Sequence, residues 1–166
     1  MISKKIASVI TSVMVFCCVV GVSLTNVKAD DSTPKSVDGS YLISADSSIG
    51  YTPKNNERGK HLMDGQCSIS KTGTKRIYAY GSTTANHTVD AVAVIVYVDQ
   101  YNEKDDEWYQ IDAFSKKVEN DYYSATSKSI QVDRGYYYRV HAEHFVRMGE
   151  DPIEETYSYT DGILVP

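Results

Sequence analysis

The chain has 166 residues, with 17 Lys and Arg against 22 Asp and Glu, a formal net charge of −5. An acidic surface repels nucleic-acid phosphates and anionic lipid headgroups, so neither is an expected partner. The length suits a single domain with its own core, and three cysteines are too few for a disulfide-stapled scaffold.

The N-terminus reads as an export signal. Lys4 and Lys5 supply a positive region, and no charge follows from Ile6 to Leu24. Val27 and Ala29 then occupy the small-residue positions of a cleavage site. The run is just long enough to span a bilayer. Cleavage is the preferred reading, because the run ends on a small-residue site and not on a cluster of Lys or Arg. Residues 1–29 are therefore expected to leave as a signal peptide, with Cys17 and Cys18 inside it and unsuited to lipidation. Lys4, Lys5 and Lys28 leave with it, so 14 Lys and Arg face 22 acids and the exported charge becomes −8. The expected location is secreted or extracellular, with no membrane contact after cleavage. Cys67 is then the only cysteine, which forbids an internal disulfide. A buried apolar role suits it better than a nucleophilic one.

Residues 30–60 carry Pro34, Gly39, Gly50, Pro53 and Gly59 among many Ser, Asp and Asn. The composition predicts a flexible N-terminal arm with one short strand at 40–44. From residue 61 onward short β segments alternate with turns. Strands are predicted at 66–70 and 76–80, with 81–86 as a connection. The strongest is 89–101, where Val92, Val94, Val96 and Val98 line one face and Ala91, Ala93, Ile95 and Tyr97 the other. Apolar residues on both faces predict a central strand. A charged hairpin loop at 102–107 leads to a strand at 108–116, and one or two more lie in 120–132. Asp133-Arg134-Gly135 is a turn before a long strand at 136–147. There Tyr138, Val140, Ala142 and Val146 point inward, while Arg139, His141, Glu143 and Arg147 face water. After a turn at 149–152, the last strand covers 156–160 and 163–165. The sum is an all-β domain at 61–166, an antiparallel β-sandwich of about seven strands, immunoglobulin-like in size.

Two resemblances follow. Asp133-x-Gly135-x-Tyr137 has the spacing of the immunoglobulin tyrosine corner, but Arg139 stands where that family places a cysteine. The segments Leu62–Ile69, Tyr80–Ala85, Val89–Val98, Trp108 and Gly135–Val140 resemble a family of small secreted proteins of unknown function from Clostridia and related Gram-positive bacteria. The resemblance spans about residues 60–166. It implies a secreted β-sandwich and carries over no catalytic residue.

Chemistry is sparsely marked. His141 and Glu143 would share one face of a strand, and a third ligand such as His87 could complete a metal site for a small hydrolase. A solvated polar face is the simpler reading. Acidic loops at Asp99, Glu103, Asp105, Asp106 and Glu107, and at Glu150, Asp151, Glu154 and Glu155, have calcium-type donors without a calcium-loop motif. Tyrosine is the compositional oddity, with 14 copies. Adjacent tyrosines on a strand must place some rings outside, where they stack on sugars or anchor partners. Tyr78, Tyr80, Trp108 and Tyr137 are the candidate ligand-binding rings. The expectation is a secreted or cell-surface, non-catalytic binding module for cell-wall glycan or another extracellular protein, with no cofactor. The alternatives are a bacteriocin-like or toxin effector and the hydrolase using His141 and Glu143.

Overall fold

A computed structural model describes residues 33–53 and 59–166. The expected signal peptide at 1–29 lies outside the described residues, and so do Cys17 and Cys18. The described chain forms nine strands: β1 (Ser36–Val37), β2 (Ser40–Ile43), β3 (Ser47–Tyr51), β4 (Leu62–Gly73), β5 (Arg76–Asn102), β6 (Glu107–Gln131), β7 (Tyr136–Arg147), β8 (Glu154–Tyr159) and β9 (Gly162–Val165). Among the described residues no helix is long and apolar enough to cross a membrane.

The organising element is the long β5–β6 ribbon. Its two strands stay paired from Arg76↔Gln131 to Asn102↔Glu107. The pairing is interrupted between Thr84 and Val89, opposite Tyr122, and Asn120 just beyond it on β6 has a φ of 55°. There the ribbon folds on itself. The Thr83 hydroxyl donates to the Ala93 carbonyl at 2.8 Å, and the Ser124 hydroxyl to the Lys116 carbonyl at 3.0 Å. Residues so far apart along an extended strand meet only across a sharp bend. Each half of β5 then takes its own second partner, β4 for the first half and β7 for the second.

The core fills the space between the two halves. Cys67, Ile69, Ile77 and Ala79 from one half meet Val94, Val96, Val98, Val140 and Ala142 from the other, all fully buried. Each such valine contributes on the order of 1.5–3 kcal/mol. The halves approach most closely at Gly81, where an added Cβ would lie 2.5 Å from Val96. A smaller cluster of Leu62, Ala85, Val89, Val92 and Val146 fills the bend.

The fold is all-β as expected, but the sheet is mixed and curled rather than clearly an antiparallel sandwich. Its order is β1-β2-β9-β7-β5-β4-β3, with β6 also on β5 and β8 also on β7. β2 runs parallel to β9, and the other pairs are antiparallel. The sheet curls as a half-barrel because β3 turns back toward the far end. Gly50 lies so close to the Tyr159 backbone that no side chain fits, and the Asp161 amide donates to Ser48 Oγ at 3.0 Å.

Three further expectations are corrected. The described part of the 30–60 arm is built into the sheet as three strands, of which only the one at 40–44 was predicted. Residues 81–86, expected as a connection, continue the β5 ladder. The tyrosine corner is also shifted by one residue. Tyr138, not Tyr137, is buried, and its hydroxyl donates to the Asp133 carbonyl at 2.9 Å. Strand alternation decides this, since Tyr138 shares the core face with Val140 and Ala142.

Candidate binding cleft

The cleft forms where the β5–β6 loop meets the start of β7. Residues 103–106 close the hairpin through the Asp106 amide on the Asn102 carbonyl at 3.0 Å, with Asp106 at φ 59°. Asn102 holds the loop from inside, accepting from the Lys104 amide and donating to Asp105. Beside it, the turn at 133–135 delivers Tyr136 and Tyr137 to the opening of β7. The space between has a volume of about 660 Å³. Tyr101, Tyr109, Tyr136 and Tyr137 supply its rings. Gln100, Asn102, Glu103, Lys104 and Arg134 supply amides and charges.

Three of the rings are held by partners. Tyr101 is buried, donates to Asp106 at 2.7 Å, and accepts from Lys35 at 2.8 Å. Tyr137 meets it edge-on at 6.5 Å. Tyr109 donates to Asp105 at 3.0 Å, and that bond raises the pKa of its phenol. Tyr109 and Tyr136 remain 47% and 44% exposed, so their faces are open to a ligand.

Behind the cleft lies a buried support. Trp108 packs on Tyr101 at 5.4 Å and donates its indole N–H to the Val37 carbonyl. The Arg139 guanidinium stacks on Trp108 at 4.6 Å. It donates to Asp99 at 2.9 Å, and to Asp38 and Ser40 of the β1–β2 hairpin. Asp99 also bonds His141 Nδ1 at 3.0 Å. Burial alone would raise the Asp99 pKa, but His141 and Arg139 outweigh it and hold the carboxyl below its ordinary value. Arg139, expected in water, is covered because β1–β2 folds over this face. His141 is stacked between Tyr97 at 4.7 Å and Tyr159 at 5.6 Å.

The four candidate rings divide into two pairs. Trp108 and Tyr137 lie at the cleft, with Tyr137 lining it and Trp108 behind. Tyr78 and Tyr80 lie on the outer surface of the other half of the sheet, where the Tyr80 and Tyr123 hydroxyls meet at 2.8 Å. Tyr109 and Tyr136 were missed in the sequence. Tyr109 shares a strand face with Ile111, and Tyr136 shares one with Tyr138, yet both rings stay exposed in the fold. His141 and Glu143 share a face as expected, yet Glu143 accepts from Tyr97 at 2.9 Å while His141 is engaged by Asp99. His87 is not beside them but against His61. Among the described residues no group of three or more His, Cys, Asp and Glu could hold a metal ion. In the acidic loops Asp105 and Asp106 are bonded to tyrosines, and Glu154 accepts from the His61 and Leu62 amides. Cys67 is wholly buried, and burial pushes its thiol up to about 12.

Comparison with known proteins adds no relative: no family model, no curated protein and no solved structure matches the chain.

Proposed function

We propose that this is an exported, non-catalytic binding module whose cleft holds a glycan, with cell-wall polymer as the natural candidate. The observation that carries the reading is the cleft itself: open tyrosine faces beside amide, carboxylate, lysine and arginine side chains. Sugar rings present an apolar face and a rim of hydroxyls, and such a site offers a partner for each. Tyr101 and Tyr109 are fixed in advance by their hydrogen bonds, which lowers the entropic cost of binding. The expected signal peptide at 1–29 supports export, and the charge of −8 left after its cleavage argues against nucleic acid and anionic lipid as ligands. The resemblance to small secreted proteins of Gram-positive bacteria points the same way. In architecture we read the bent ribbon as a variation on the β-sandwich, with two halves of one sheet taking the place of two sheets.

Sedimentation with isolated Gram-positive cell walls at physiological salt tests the reading. The protein is expected to pellet. Tyr136→Ala, which removes an open ring, is expected to weaken binding at least about tenfold, as for an aromatic anchor. A protein that stays in the supernatant with walls of several compositions contradicts it.

A further inference from the structure

At the end of the molecule where the ribbon bends, three segments distant in sequence bring two histidines together. His61 precedes β4, His87 sits in the bend of β5, and Asp151 lies in the turn between β7 and β8. His61 Nδ1 faces His87 Nε2 at 3.2 Å, with the rings nearly perpendicular at 79°. On its other side His61 Nε2 is 2.8 Å from Asp151 Oδ2. An ionised carboxylate only accepts, so Nε2 donates to it, and in the neutral ring Nδ1 accepts from His87 Nε2–H, a proton whose place a metal ion would take. Asp151 is itself held by Lys60 at 2.9 Å, and His61 and Lys60 together keep its carboxyl below the ordinary value. The His61 backbone is pinned as well: its amide donates to Glu154, and its carbonyl accepts from the Asn86 amide next to His87.

We propose that His61 and His87 form a binding site for a zinc-class divalent ion, with Asp151 orienting His61 from behind. Two nitrogens on one tetrahedral zinc lie about 3.3 Å apart, given Zn–N bonds of ~2.0–2.1 Å. The observed separation already meets that spacing. A carboxylate on the far nitrogen of a ligating histidine is the usual outer support, fixing tautomer and ring direction and raising basicity. Imidazole pairs suit zinc, and copper(II) more strongly. With no third protein ligand among the described residues, the remaining positions belong to water or to a donor from an incoming molecule. His61 is buried and His87 is exposed, so the ion is reached from the surface at His87. This site is separate from the tyrosine cleft and does not depend on it.

Calorimetric titration of the metal-free protein with Zn²⁺ tests the proposal. One equivalent is expected to bind with micromolar affinity. His87→Ala changes an exposed residue and spares the buried one, and is expected to weaken binding at least about thirtyfold with the circular dichroism unchanged. Asp151→Asn is expected to weaken it about tenfold, the usual effect of losing an outer partner, while His141→Ala leaves it unchanged. Failure to bind below millimolar Zn²⁺, or binding that survives His87→Ala, overturns the proposal and leaves the pair as a hydrogen-bonded dyad.

Discussion

His144 shows how one buried polar side chain ties stability to pH. It lies fully buried on the core face of β7, with Thr83 at 2.9 Å and Ser158 at 2.8 Å on its two ring nitrogens. Burial lowers its pKa to about 4. The unfolded chain takes up a proton near pH 6.5, whereas the folded chain resists until about 4. The stability from neutral His144 is therefore complete above pH 6.5 and drains away as pH falls toward 4. A shift of this size corresponds to a loss on the order of 3 kcal/mol. Urea midpoints across that window are expected to fall in the wild type and to fall less in His144→Gln. Arg139 and Asp99 are a second case. Removing Asp99 deprives Arg139 and His141 of their shared carboxylate and leaves Arg139 with Asp38 and Ser40, at a cost of up to about 3–5 kcal/mol, that of a broken buried pair. Asp99→Ala is thus expected to lower the denaturation midpoint strongly, and to release the β1–β2 hairpin to faster amide exchange. Neither role was readable beforehand. Alternation correctly placed Arg139 and His141 off the core face, but nothing local said that residues 36–43 would return to cover them.

At the scale of elements, the bent ribbon decides most of the architecture. The valines at 92, 94, 96 and 98 and the alternation in 136–147 made these strands plain in the sequence. The bend was not plain. Gly81, Ser82, Thr83 and Thr84 resemble a loop in composition, yet they stay in the ladder because their small side chains let the two halves close. Gly81→Val is expected to overfill this contact and cost about 1–3 kcal/mol, read as a drop in the thermal midpoint. Asp38-Gly39, with φ of 49° and 77°, is a two-residue hairpin turn of a kind the sequence does advertise. It passed unread among the turn-forming residues of the arm. The parallel β2–β9 pair joins the two ends of the described chain, and no local pattern encodes such a contact. Among the described residues β6 pairs only with β5 along its length. Its Lys116, Lys117, Glu119 and Lys128, with the kink at Asn120, discourage a second chain from adding to that edge.

For the whole molecule, the fold sets two candidate sites apart. The tyrosine cleft lies at the β5–β6 loop, and the histidine pair lies at the bend of the same ribbon. Tyrosine abundance pointed to an aromatic surface, and Trp108 and Tyr137 do lie at the cleft, whereas the placement of Tyr109 and Tyr136 depended on how the β5–β6 loop packs beside the turn at 133–135. The histidine pair had no sequence signal, because 26 residues separate its members and the bend alone unites them. The central claim is that the cleft binds glycan. A heteronuclear NMR titration with soluble Gram-positive wall fragments tests it most directly. The account predicts saturable shifts concentrated at Gln100–Lys104, Tyr109 and Arg134–Tyr137, with saturation moved to at least about tenfold higher ligand by Tyr136→Ala. Shifts that are absent, or that centre on Tyr78, Tyr80 and Tyr123 instead, would contradict it.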